Sequence, residues 1–185
     1  MRCVKDIFKS EIEVKRSKFI SFLVPYSKFK SVHLELKVEH KKANHIVWAY
    51  RYLNEYNQIV ENSSDDGEPK GAAGVPTLSQ LRGANLIESA ILTVRYFGGI
   101  KLGVGGMVRA YSQSAKEVID SARLIEFKKL ESFEICVPYN RQREIEYHLK
   151  LLKIDSINRE FLSDKVCFNI VTTKENIQKL KELMV

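Results

Sequence analysis

Five of the nine glycines fall between Gly98 and Gly106, inside the run RYFGGIKLGVGGMVRAY at Arg95–Tyr111. An apolar stretch, Ala90–Val94, leads into this run, and apolar residues at helical spacing lead out of it. Strand, glycine loop and helix in that order bring backbone N–H groups to a helix N-terminus, where an anion can sit. The loop also carries cations: Arg95 before it, Lys101 within it and Arg109 just after it. Arg95, Gly98, Gly99, Lys101, Gly103, Gly105, Gly106 and Arg109 are therefore the candidate anion-binding residues. No GK[ST] closes GGIKLGVGG, so the run is not a Walker A loop.

A second dense stretch, SSDDGEPKGAAGVP at Ser63–Pro76, places Asp65, Asp66 and Glu68 within four residues. Such clustering is unfavourable by mutual repulsion unless donors or cations compensate. One reading is a structural clasp, in which the aspartates cap turns or the next helix and pair with Arg95, Lys101 or Arg109. The other is a hard-cation site, with Asp65, Asp66 and Glu68 holding Mg²⁺. The clasp is the favoured reading. Asp65, Asp66, Gly67, Glu68, Lys70 and Gly71 form the second group of candidate site residues.

The rest of the chain supplies a scaffold for these loops. Alternation predicts strands over residues 10–16 and 18–24, with Ile20, Phe22 and Val24 on one face. Ser27 is the expected N-cap of a helix to about Lys41, with Phe29, Val32 and Leu36 inward and a basic outer face. His33 and His40 on this helix have no metal-binding company and read as solvated or half-packed. Residues 43–53 predict a strand with Ile46, Trp48, Tyr50 and Tyr52 on one face and His45, Val47, Ala49 and Arg51 on the other. His45, Arg51, Tyr96 and Tyr111 are possible accessory site residues. Pro76 and Gly83 bracket a short helix, and residues 87–96 form a buried strand. Val108, Tyr111, Ala115, Val118, Ile119 and Ala122 then mark a helix of about 17 residues. Arg109 in its first turn opposes the helix dipole by roughly 0.3–1 kcal/mol, a cost that a bound anion or a loop carboxylate would offset.

From about Leu130 the texture changes to βαββα in a glycine-free segment, which predicts a small two-layer α+β domain. The expected organisation is α+β in two domains, 1–129 and 130–185. The net charge of +7 is confined to the first: residues 1–129 hold 21 basic and 14 acidic side chains, and the remainder nine of each. That imbalance suits an anionic partner such as RNA, or merely a soluble lysine-rich surface. No apolar run approaches the ~20 residues of a membrane span, and the N-terminus lacks the apolar core of a secretory signal. Cys3, Cys136 and Cys167 are far apart and odd in number, which predicts reduced thiols in a cytoplasmic protein.

The motifs DDGEPKGAAG at Asp65–Gly74 and Arg95–Tyr111 resemble the signature of the Impact family, whose bacterial members include YigZ-like proteins. RSKFIS at Arg16–Ser21 and HIVWAYRY at His45–Tyr52 extend the match over nearly the whole chain. Ala72 stands where the family pattern leads one to expect threonine, which removes a hydroxyl from the loop, and Met107 replaces an expected leucine. The resemblance implies an N-terminal domain like the second domain of a ribosomal small-subunit protein, with a left-handed βαβ crossover. It also implies a C-terminal ferredoxin-like domain resembling one in elongation factor G. Eukaryotic members regulate translation through a protein partner.

Two functional expectations follow. The first is a non-enzymatic binding protein that regulates translation through RNA, the ribosome or a protein partner, with Lys101 and Arg109 as contacts and no cofactor. The alternative is an enzyme or sensor for a small phosphorylated ligand at the glycine loop, with or without Mg²⁺; the non-enzymatic reading is preferred.

Overall fold

The computed structural model describes residues 1–184. The chain divides into two compact units, Met1–Phe127 and a second beginning at Lys128.

The first unit is built on a five-stranded sheet. In chain order its elements are β1 (Arg2–Cys3), β2 (Phe8–Val14), β3 (Ser17–Pro25), α1 (Phe29–Glu39), β4 (His45–Leu53), β5 (Ile59–Ser64), α2 (Gly74–Gly83), β6 (Ser89–Tyr96), α3 (Val104–Asp120) and β7 (Ile125–Glu126). The sheet order is β2-β3-β6-β4-β5, and every adjacent pair is antiparallel. Because β6 runs antiparallel to both β3 and β4, those two strands are parallel to each other. The connection β3–α1–β4 is therefore a βαβ crossover with β6 inserted between its strands. The short β1 pairs with β7, joining the two ends of the unit.

Strand alternation sorts the side chains into two cores. On one face, Ile20, Val24, Ile46, Leu92 and Val94 pack against Phe29, Val32 and Leu36 of α1. On the other, Leu23, Ala49 and Ile91 meet Leu78 and Leu81 of α2 and Ala115, Val118 and Ile119 of α3. Nearer the motif loops, Phe19 and Val47 meet Met107, Ala110 and Tyr111 of α3. The sheet is thus a central layer between α1 and the α2–α3 pair. Ser21, Thr93 and Ser114 are fully buried on the α3 side, and the Ser21 hydroxyl lies 2.7 Å from both Thr93 Oγ1 and Ser114 Oγ.

The second unit runs β8 (Leu130–Pro138), α4 (Gln142–Leu151), β9 (Ile157–Phe161), β10 (Lys165–Thr173) and α5 (Lys174–Leu183). Its antiparallel sheet has the order β8-β10-β9. Val137, Val166, Phe168 and Ile170 pack against Ile145 and Leu149 of α4 and Leu180 of α5. Thr173 Oγ1 accepts from the Asn176 N–H and caps α5, as expected of a helix that follows a strand directly. No described helix is long and apolar enough to cross a membrane.

Three expectations need correction. Cys136 and Cys167 are not free thiols but a disulfide. They are directly opposed partners across β8 and β10, with Cα atoms 4.0 Å apart, an adjacency that a separation of 31 residues conceals. Ser27 does not cap α1; it lies inside a 3-10 turn at Tyr26–Lys28 that feeds the helix without a side-chain cap. The inward stripe of α3 begins at Met107, whereas Val108 is 36% exposed.

Candidate functional site

The acidic loop folds by turning its three carboxylates in different directions. Asp66 and Gly67 have φ of 45° and 87°, and the Glu68 N–H donates to the Asp65 carbonyl. This is a tight turn with both central residues in the left-handed region, which Asp-Gly favours. Asp65 then faces the start of α2, and its carboxylate accepts from the N–H groups of Gly71, Ala73 and Gly74 at 2.8–3.0 Å. It serves as an N-cap from outside the helix, where Ala73 at the formal cap position cannot. Asp66 Oδ2 accepts from the Ile46 N–H at 2.6 Å, and its carbonyl accepts from His45 Nδ1 at 2.7 Å.

Glu68 points into the protein. It is 8% exposed, and its Oε1 accepts from Arg95 Nη1 at 2.5 Å and from the Tyr111 hydroxyl at 2.8 Å. Arg95 is 5% exposed, with its guanidinium over the ring of Phe19, which in turn meets Tyr111 edge-on. Burial, then the Glu68 charge, pushes the Tyr111 hydroxyl far above its ordinary range, so it remains a donor at any physiological pH. His45 Nε2 lies 3.8 Å from Glu68 Oε2, beyond hydrogen-bond reach. Ala72 is fully buried in this cluster; a threonine would bring a hydroxyl among apolar side chains.

Of the expected clasp, Asp65 caps the following helix, Asp66 bonds the Ile46 N–H and Glu68 pairs with Arg95, whereas Lys101 and Arg109 meet no loop carboxylate among the described residues. These contacts overturn the alternative Mg²⁺ set, because each carboxylate is committed to separate donors and the three do not converge. Among the described residues the one cluster with metal-ligand proximity is Glu134, Cys136 and Cys167, and both its sulfurs are in the disulfide.

The two motif loops enclose a cavity of about 430 Å³. Five expected residues line it: His45, Glu68, Arg95, Lys101 and Gly103. Asn44, Pro69, Phe97, Leu102, Val104 and Met107 complete the wall. Phe97 stands inside the glycine-loop motif, and an aromatic between an arginine strand and a glycine pair was the available clue. Other candidates lie elsewhere. Arg51 donates to Glu61 and to the Leu86 carbonyl, beyond the C-terminal end of α2. Tyr96 faces α1 and bonds His40. Lys70 and Arg109 are exposed and make no ion pair among the described residues. Gly98 sits against the backbone of Arg16 and Ser17, and its N–H donates to Ser17 Oγ. Gly67 and Gly71 belong to the acidic-loop turns, and Gly99, Gly105 and Gly106 are not part of the cavity wall.

The cap makes a testable pH statement. Burial alone raises the Asp65 pKa, but the N–H donors of Gly71, Gly74 and Ala73 outweigh it and hold the carboxyl below its usual value. A carboxyl depressed in the folded state contributes stability above its unfolded pKa of about 3.9 and loses it as pH falls through the folded value. Asp65→Ala is therefore expected to cost about 1–2 kcal/mol near neutrality. In urea unfolding, the gap between variant and parent should narrow as pH falls below the unfolded pKa and through the lower folded one.

The family model described as the Impact N-terminal domain matches residues 15–119. IMPACT family member YvyE of Bacillus subtilis is 35% identical over 150 residues, covering 80% of this chain and 68% of the relative. An IMPACT family member of Haemophilus influenzae is 34% identical over 157 residues, covering 82% and 75%. A crystal structure described as that of a hypothetical protein superposes with a TM-score of 0.67 at 26% identity, over 99% of this chain and 90% of that one. The matched region contains both motif loops, the buried Glu68–Arg95 pair and the cavity between them, and the chain belongs to the IMPACT family.

Proposed function

We propose that this chain is a non-enzymatic binding protein that regulates translation, and that its N-terminal unit contacts RNA of the translation machinery. The reading is carried by the fate of charge at the two loops. Asp65, Asp66 and Glu68 are satisfied by internal donors, whereas Lys70, Lys101 and Arg109 remain on the surface. Glu68 is buried and Asp65 is spent on backbone donors, so of the three carboxylates only Asp66 stays exposed beside Lys70, Lys101 and Arg109, and what the loops display is net cationic. Family membership and the confinement of the +7 charge to residues 1–129 point the same way. Phosphate contacts of this kind are long-range and tolerant of sequence.

The test is fluorescence anisotropy with labelled ribosomal RNA fragments at increasing salt. Log affinity should fall against log salt with a slope of about −0.7 to −0.9 per phosphate contacted. The double variant Lys101→Ala, Arg109→Ala should flatten that slope by about 1.5 units. Binding indifferent to salt, or a slope unchanged in the variant, would overturn the reading and leave a protein partner as the object of search.

A further inference from the structure

The cavity between the loops has features that a surface for RNA does not require. We propose that it binds a small monocarboxylate with an apolar body, the carboxylate at the N-terminus of α3 and the body against Phe97, Leu102 and Met107. This reading is separate from the macromolecular one and stands or falls independently of it.

The first observation is the helix end. The 17-residue helix α3 begins after Gly103, with no side-chain cap and no acidic residue in its first turn. Its start therefore has no side-chain cap among the described residues, and such an end favours an anion. Gly103, Val104 and Lys101 lie in the cavity wall together.

The second is independent of the helix. Arg95 also lines the cavity, is 5% exposed and spends Nη1 on Glu68, while its Nε has no hydrogen-bond partner among the described residues. A buried N–H on a cation without an acceptor is unfavourable, and a ligand oxygen would relieve it. The Phe97 ring covers that guanidinium, its centroid 5.9 Å from Cζ, and the side chain is half-exposed.

Charge selects the ligand class. Arg95 and Lys101 are cationic and Glu68 is anionic. His45 also lines the cavity and is held by its Nδ1 hydrogen bond to the Asp66 carbonyl. Arg95, Lys101 and Glu68 together carry a net charge of +1, which a carboxylate balances. A phosphate dianion would overshoot that balance and lie close to the Glu68 carboxylate. The 430 Å³ volume falls in the range of small-ligand sites, and Pro69, Leu102 and Met107 give it an apolar floor.

The experiment is a heteronuclear NMR titration of the full chain with phenylacetate, hexanoate, phenylacetamide and inorganic phosphate. Saturable shifts of the Val104, Gly105 and Gly106 amides are expected with both carboxylates, at least tenfold tighter than with the amide or with phosphate. Lys101→Met, at an exposed position where folding is not at stake, should weaken the carboxylates at least fivefold. Equal affinity for phenylacetamide, tighter binding of phosphate, shifts that do not saturate, or shifts indifferent to Lys101→Met would each overturn the proposal. No RNA is present in the assay, so its failure and that of the RNA reading are told apart.

Discussion

Replacing Glu68 with alanine is expected to destabilise the N-terminal unit by about 3–5 kcal/mol, because it strands the buried Arg95 guanidinium without a counter-charge. It also removes the acceptor of the Tyr111 hydroxyl. The double variant Glu68→Leu, Arg95→Met should recover the part of the loss due to the stranded charge, since a buried pair replaced by apolar side chains of similar volume is often neutral, and should keep the cost of about 1–3 kcal/mol for the unpaired Tyr111 hydroxyl. Trp48 is the single tryptophan and lies in this unit, so its fluorescence during urea unfolding reports on the unit directly. A loss below about 1 kcal/mol for Glu68→Ala would mean that the pair does not hold the loop, and the clasp would then give way to a solvated site. The double variant matters for function too: if the clasp is only scaffolding, a folded double variant should keep the salt-dependent binding expected of Lys101 and Arg109.

The second large effect is expected at Gly98. A Cβ built there would lie 2.0 Å from the carbonyl carbon and oxygen of Arg16 and 2.5 Å from the Ser17 nitrogen. Those are backbone atoms at the start of β3, and no rotamer change can move them. Gly98→Ala should therefore cost about 3 kcal/mol or more, at the upper end of overpacking effects. Gly105 provides the contrast. It lies within α3, and the nearest atom to an added Cβ is Arg109 Nη1 at 3.8 Å. Gly105→Ala should stabilise the unit by about 0.5–1 kcal/mol through helix propensity. Thermal or urea midpoints that move in the same direction for both variants would show that the glycines of this loop share one role, contrary to the packing.

The contrast shows what the sequence could and could not convey. Periodicity located the elements: Ile20, Phe22 and Val24 on one strand face, and a helix of 17 residues after the glycine loop. Local patterns of this kind report the backbone conformation and the buried face. They do not report which glycine is pressed against another segment, because Gly98 meets Arg16 only through the pairing of β3 with β6. The same limit explains the cysteines, whose opposition depends on strand register across a helix and a further strand. Alternation correctly put His45 and Arg51 on one face of β4, yet six residues of strand separate them by about 20 Å. Only His45 reaches the motif loops. The three clustered carboxylates were legible as a group, but their separate destinations follow from the Asp66–Gly67 turn and from which N–H groups it leaves in reach. The α3 stripe was read in the right phase, with Tyr111, Ala115, Val118 and Ile119 buried, and only its first member was misplaced: Met107 turns inward where Val108 was expected.

The hydroxyl chain Ser114–Ser21–Thr93 bears on how the cavity keeps its shape. Apolar packing resists separation of a helix from a sheet but resists sliding only weakly, since one apolar contact replaces another. Two 2.7 Å hydroxyl contacts in a dry interface behave differently: any slide of α3 along its axis leaves a buried donor or acceptor empty. Thr93 is two residues before Arg95, and Ser114 is on the same rigid helix as Gly103 and Val104. The chain therefore acts as a dowel, setting the axial position of the open helix end against the arginine opposite. The separation between the two walls is thus held by directional bonds at a distance from the cavity, not by whatever fills it.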